Sequence, residues 1–188
     1  MRVVAGTKKG RELAAPKGRG TRPTLAKVKE AMFGMIQFDV EGASVLDLFS
    51  GSGALGIEAL SRGAARAVFC DADRQAAGVV RANLAKLELE GVSTLYCCDA
   101  LALLNVLEAE GSKFDIVLLD PPYETELASK ALALLCEKEL LSEGALILCE
   151  HSRDNPPAVP GACAARKAKK YGDSYVTLIT YSKSEATV

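Results

Sequence analysis

Histidine is nearly absent from this 188-residue chain: His151 stands alone, at the end of an apolar run where it is expected to face solvent. None of the six cysteines (Cys70, Cys97, Cys98, Cys136, Cys149 and Cys163) forms a C-x-x-C pair. These two shortages leave no zinc ligand set, and no metal is expected. Cys70 and Cys149 lie in apolar runs, where free cysteine is a small core residue. A reducing cytosol is therefore the expected compartment. No stretch of about 18 apolar residues occurs, so no membrane span is expected. The start, MRVVAGTKKGREL, lacks the apolar core of a secretory signal. What remains is 49% hydrophobic and 25% charged, enough for a normal core in one domain with an appendage. No dimer stripe is evident, and a cytoplasmic monomer is expected.

The net charge of −1 conceals an asymmetry. Residues 1–30 carry nine Lys/Arg against two Glu; residues 31–163 carry nine against twenty Asp/Glu; residues 164–188 carry five against two. An acidic body between basic ends points to a polyanionic partner, with nucleic acid the leading candidate.

Residues 3–16 read as two extended pieces around a basic, Gly-punctuated turn, a short hairpin. GRGTRPT (18–24) reads as a loop, with Thr24 placed to cap a helix over 25–36. From residue 43, strands and helices alternate. Strands are predicted at 43–49, 64–71, 92–99, 114–120 and 144–151, and helices at 53–63, 74–89, 100–111 and 127–141. Residues 165–182 read as an antiparallel hairpin around Gly172-Asp173. The fold expected is α/β: a Rossmann-like, mostly parallel sheet with helices on both faces. Residues 1–24 form the basic extension and 25–188 the domain.

In such sheets ligands bind at the rim formed by the strand carboxyl ends. Five acids fall there: Asp47, Asp71, Asp99, Asp120 and Glu150. Helix capping accounts for Asp99 but poorly for Asp120, which prolines follow.

Gly51-Ser52-Gly53-Ala54-Leu55-Gly56 fits G-x-G-x-x-G, the dinucleotide fingerprint. Asp47 argues otherwise, since a carboxylate at the strand end repels a pyrophosphate. It suits a cationic ligand without phosphate, and S-adenosylmethionine has an ammonium and a sulfonium. Asp71, twenty residues after Gly51, stands where an acceptor for ribose hydroxyls belongs. Asp99 closes the third strand, within reach of an adenine amino group.

LLDPPYE (118–124) carries the chemistry. Pro121 and Pro122 remove two donors and fix φ, leaving a rigid rim of carbonyl acceptors. Tyr123 offers a face for a base to stack on. Asp120 and a proline carbonyl can accept both N–H bonds of a conjugated amine, freeing its lone pair for attack on a methyl donor.

D-P-P-Y with a glycine loop on the first strand resembles the class I S-adenosylmethionine-dependent amino-methyltransferases. MRVVAGTKKGREL, TRPT, VKEAMF, VLDLFSGSGALGIEALSRGA and FDIVLLDPPY, in that order, resemble the bacterial 16S rRNA guanine-N2 methyltransferase family (small-subunit rRNA methyltransferase D) over nearly the whole chain. The resemblance implies a seven-stranded sheet. It assigns Asp47, Phe49, Ser50, Gly51 and Gly53 to the methionine end and ribose side of the cofactor, Asp71 and Ala72 to the ribose, and Asp99 and Ala100 to the adenine. It gives Asp120, Pro121, Pro122 and Tyr123 to the target guanine, Arg22 to the active rim, and Lys8, Lys9 and Arg11 to phosphates. The implied substrate is 16S rRNA within a 30S particle or assembly intermediate. Ser50 stands where alanine is usual, and Cys70-Asp71-Ala72-Asp73 where Glu-x-Asp is usual.

Three rivals are weaker. An NAD-linked oxidoreductase leaves D-P-P-Y without a task. An adenine-N6 or protein-glutamine methyltransferase shares D-P-P-Y but not the basic start. A non-catalytic assembly factor would not need Asp120.

Overall fold

A computed structural model of the chain describes residues 1–16, 23–122 and 125–183. Five α-helices and seven strands lie along these residues, alternating as far as β5: α1 (Pro23–Met35), β1 (Ser44–Asp47), α2 (Ala54–Ser61), β2 (Arg66–Cys70), α3 (Arg74–Leu87), β3 (Ser93–Tyr96), α4 (Ala100–Ala109), β4 (Phe114–Leu119), α5 (Leu127–Glu137), β5 (Leu141–Ser152), β6 (Cys163–Tyr171) and β7 (Ser174–Tyr181). The strands form one sheet in the order β3-β2-β1-β4-β5-β7-β6. Pairings from β3 through β5 are parallel, and β7 runs antiparallel to both β5 and β6. The order reverses between β1 and β4, the switch point where α/β sheets open a crevice at their carboxyl rim.

β1 and β4 are apolar because both of their faces are covered. Val45, Ile116 and Leu118 face one core layer with Met32, Phe33, Ile57, Val80 and Leu84. Leu46, Val117 and Leu119 face the other, with Leu103, Leu107, Leu132 and Leu135. Thus α1, α2 and α3 cover one face, and α4 and α5 the other.

Several boundaries differ from the sequence reading. α1 starts at Pro23, not after a Thr24 cap; proline suits a first helical position because its missing N–H has no intrahelical partner there. α3 and α5 stop short of the predicted ends, each at a left-handed glutamate: Glu88 (φ 56°) and Glu139 (φ 50°). Each closes a Schellman pair, Leu89 N to Leu84 O with Glu88 N to Ala85 O, and Leu140 N to Leu135 O with Glu139 N to Cys136 O. β5 then begins three residues early, carrying Gly144 at φ 77° inside it.

The N-terminal hairpin has a single antiparallel bridge, Arg2 to Glu12, and no extended ladder. It folds onto α2 and α3. Val3 and Leu13 enter the core, and Gly6 packs so closely on α2 that a β-carbon there would lie 1.7 Å from the Ser61 carbonyl oxygen. Glu58 of α2, with no solvent exposure, accepts the Val4 and Ala5 N–H groups at 2.8 and 2.9 Å and pairs with Lys29 and Arg62, both at 2.9 Å. Burial alone would raise the Glu58 carboxyl; the Val4 N–H, Lys29 and Arg62 outweigh it and hold the pKa below its ordinary value.

Candidate active site at the carboxyl rim

The loop from β1 to α2 turns sharply. Gly51 and Gly53 sit at φ 55° and 77°, a backbone that favours glycine. Gly53 is also hemmed from below, since a β-carbon would come within 3.2 Å of Val80 and 3.3 Å of Ile57. Ser50 fastens this loop where β1 and β2 part. Its hydroxyl donates to the Asp47 carbonyl at 2.7 Å and accepts the Cys70 N–H at 2.9 Å. The serine that stands in place of alanine is thus a cross-strand tie. Ser50→Ala leaves the buried Cys70 N–H unpaired and should cost about 1–2 kcal/mol, read as a lower midpoint in urea at unchanged slope; an unaltered midpoint would show the tie to be unimportant.

Asp47 is 1% exposed, beneath the loop, with Oδ2 accepting the Gly56 N–H at 2.9 Å. Gly56 is the third residue of α2, so one of the helix's unpaired N–H groups, which a phosphate would use, is already taken. Burial pushes the Asp47 pKa up to about 7; the Gly56 bond opposes this and the Asp71 charge adds to it. The folded chain therefore keeps this proton over a range where the unfolded chain has lost it. The sign follows: this group weakens the fold as pH rises from about 4 to about 7. Asp47→Asn keeps an acceptor for Gly56 and removes the charge. It should gain on the order of 2 kcal/mol relative to the parent between pH 5 and pH 8, measured by denaturation at both values; a pH-independent difference would refute the assignment.

Asp71 follows β2 and is half-buried. Its Oδ2 accepts the Gly51 N–H at 2.8 Å and its Oδ1 the Asp73 N–H at 2.9 Å. Each oxygen keeps lone-pair capacity for a hydroxyl. Ala72 beside it is exposed. Asp99 is exposed and caps α4 through Oδ1 on the Ala102 N–H at 2.9 Å; Ala100 is buried behind it. Asp47, Asp71 and Asp99 therefore end or follow three adjacent strands.

Asp120 and Glu150 emerge side by side, one residue beyond the paired Leu119 and Cys149. Both line a cleft with Phe49–Ser52, Ala54, Leu55, Val28, Lys29 and Met32, and with Met1, Ala15 and Pro16 from the ends of the N-terminal hairpin. Burial, then the charges of Asp120 and Glu150, push the Cys149 thiol up to about 12. Glu150 is 4% exposed; its place at a strand end was the signal for it, though no role had been assigned. Pro121 is buried and Pro122 exposed. The Pro122 carbonyl accepts the Thr125 hydroxyl at 2.8 Å, and Asn155 donates to the Thr125 carbonyl at 2.7 Å. Tyr123 and Arg22 lie outside the described residues, as does Thr21.

The basic start divides. Lys29 is buried in the Glu58 ion pair and donates to the Arg2 carbonyl at 2.8 Å. It belongs to the fold, not to a phosphate surface. The turn bearing Lys8 and Lys9 rests on the carboxyl end of α2, with the Lys8 N–H on Ser61 Oγ at 2.9 Å. Arg11 is exposed and donates to the Lys86 carbonyl at 3.1 Å. Lys8 and Lys9 lie at the far end of α2 from the glycine loop, about 12 Å by its 8 residues, and Arg11 lies at the last turn of α3. The hairpin's ends, not its basic tip, border the cleft. His151, read as facing solvent, is buried instead: its ring bonds Thr177 Oγ1 and the Ser152 carbonyl, both at 2.8 Å, and stacks on Tyr175. The antiparallel partner β7 covers it. Among the described residues, no helix is long and apolar enough to cross a membrane.

A family model described as "Conserved hypothetical protein 95" matches residues 1–180. A Bacillus subtilis protein named "Putative rRNA methyltransferase YlbH" is 42% identical over 92% of this chain and 94% of its own length. The Haemophilus influenzae "Ribosomal RNA small subunit methyltransferase D" is 36% identical over 92% of this chain and 89% of its own. The solved structure of "Putative methyltransferase yhhF from Escherichia coli" superposes with a TM-score of 0.86 at 31% identity, covering 98% of this chain and 99% of that one. The sheet order and its one antiparallel strand are those of the class I methyltransferase fold.

Proposed function

The chain belongs to the family described as Conserved hypothetical protein 95, and from that membership and the rim's geometry we propose that it methylates the exocyclic N2 of a guanine in 16S rRNA. The methyl donor is S-adenosylmethionine, and the substrate is a 30S particle or assembly intermediate. The enzyme acts as a cytoplasmic monomer. The observation that carries the reading is the cleft in which Asp120 adjoins the glycine loop. The names of the relatives support the RNA class.

The residues fit this cofactor. Asp47 braces the loop from beneath through the Gly56 N–H, Gly51 and Gly53 let the backbone approach closely beside Phe49 and Ser50, Asp71 with Ala72 meets ribose hydroxyls, and Asp99 with Ala100 meets the adenine. The loop's own residues, 47–56, contain no lysine or arginine to offset a phosphate. When bound, the cofactor supplies an electrophilic methyl on a sulfonium. Asp120 and the proline carbonyls accept the N–H bonds of the guanine amino group and hold its nitrogen for attack, and Asp120 stands ready for the released proton. Tyr123 stacks on the splayed base, with Arg22 at the same rim. Lys8, Lys9 and Arg11 contact phosphates away from the cleft and give affinity without base reading.

The test is incubation with methyl-labelled cofactor and 30S particles from cells lacking the gene, followed by separation of RNA from protein. Label in 16S rRNA is expected; label in ribosomal protein alone would refute the reading. Reversing Lys8, Lys9 and Arg11 to glutamate should weaken RNA binding and flatten its salt dependence. An unchanged slope in a binding titration at 50–200 mM salt (roughly the range where phosphate contacts are felt) would remove these three from the interface.

A further inference from the structure

One buried side chain joins the two walls of the cleft. Asn83 of α3 is 1% exposed and lies outside every motif in the sequence. Its Oδ1 accepts the Ala14 N–H at 2.8 Å. Its Nδ2 donates to the Ala14 carbonyl at 3.1 Å and to the Ser52 carbonyl at 2.9 Å. Ser52 belongs to the glycine loop, while Ala14 belongs to the returning limb of the basic hairpin. The residues next to these partners, Gly51 on one side and Ala15 and Pro16 on the other, line the cleft.

The bonding is complete in a way that fixes geometry. A primary amide offers one acceptor oxygen and two N–H donors. Here the oxygen and both donor directions are engaged with backbone from two segments 38 residues apart (Ala14 and Ser52). A buried amide of this kind holds its partners at one spacing, because each lost bond leaves a buried polar group unpaired. No direct hydrogen bond from Ala14 to the loop is needed. A weaker second link, Ser52 Oγ to Met1 Sδ at 3.6 Å, ties the same loop to the hairpin's first residue.

We propose that Asn83 is a positioning residue that makes the basic hairpin part of the cofactor site: through it, the returning limb sets the glycine loop in its binding conformation. This rests on the reading of the loop as the S-adenosylmethionine site. It goes beyond that reading because it assigns cofactor affinity to a segment expected to serve RNA alone. Asn83 touches neither cofactor nor base in this account; it acts through Ser52 and Ala14.

Calorimetric titration with S-adenosylhomocysteine tests it. Ala14→Pro removes the N–H that reaches Asn83, at an exposed residue, and also fixes φ there and restricts Leu13. It should weaken binding about tenfold, the effect of one or two hydrogen bonds. Ala14→Gly keeps the N–H and should bind as the parent does. Asn83→Ala should weaken binding at least as much as Ala14→Pro. The double variant Ala14→Pro/Asn83→Ala should lose little more than Asn83→Ala, because both act through one joint. A merely structural hairpin would lower the melting temperature of Ala14→Pro and leave cofactor affinity alone, and that result would overturn the proposal. Fully additive losses would overturn it as well. Should Asn83→Ala fail to fold, the Ala14→Pro and Ala14→Gly pair still decides. Absence of binding to the parent protein would overturn the cofactor reading itself and this inference with it.

Discussion

Asp120→Ala should abolish methyl transfer while leaving cofactor affinity within a few fold of the parent. Asp120 follows a strand buried on both faces and stands beside Glu150 in the cleft. Its backbone is placed by β4 and by Pro121, which is itself buried. The aspartate is thus aimed by rigid elements, which is what orientation and electrostatic preorganisation require. An amine conjugated to a purine ring has a delocalised lone pair. Holding its N–H bonds is the main task the protein can perform for it. Losing a preorganised acceptor of this kind is worth roughly a thousandfold in kcat. Asp120→Asn keeps one acceptor oxygen without the charge and should fall between the two. Single-turnover transfer and calorimetry with S-adenosylhomocysteine separate the steps. Parallel loss of turnover and of cofactor affinity would mean that Asp120 serves the cofactor and not the base.

Glu58→Ala should cost about 3–5 kcal/mol, the penalty for leaving a buried charge without its partner. Removing this carboxylate strands Lys29 inside the core and unpairs the Val4 and Ala5 N–H groups. Arg62 also loses its ion pair, although it still lies over the Phe33 ring at 4.8 Å. The hairpin then keeps Val3 and Leu13, the Asn83 bonds and the close seat of Gly6 on Ser61. Glu58→Gln should be milder, since an amide oxygen can still accept one backbone N–H. Chemical denaturation gives the loss, and hydrogen exchange of Val4 and Ala5 localises it. A cost under about 1 kcal/mol would show that apolar burial, not the ion pair, seats the hairpin.

These two sites differ in how far the sequence announced them. The place of Asp120 at the rim was legible because its surroundings leave a local mark: an apolar strand, an acid, two prolines and an aromatic in one run. The alternation of strands and helices was legible for the same reason, since burial on both faces writes itself into each segment. Glu58 and Asn83 were not. Each is a polar residue in a helix, and nothing within four residues distinguishes it from a solvated one. Apart from Arg62, one helical turn beyond Glu58, their partners lie 29 to 69 residues away, in contacts that only the tertiary fold creates. Lys29 shows the converse error, a lysine counted with the surface cations that is buried opposite Glu58. His151 was misread because its cover, β7, arrives from the end of the chain. The ends of α3 and α5 were overrun because left-handed glutamates close them where glycine would normally give the signal.

The central claim is that this rim methylates a guanine amino group in small-subunit rRNA. The most direct measurement is nucleoside analysis of 16S rRNA after reaction of 30S particles with methyl-labelled S-adenosylmethionine. Label confined to N2-methylguanosine, and absent with the Asp120→Ala protein, is the result this account predicts. Label in N6-methyladenosine would contradict it.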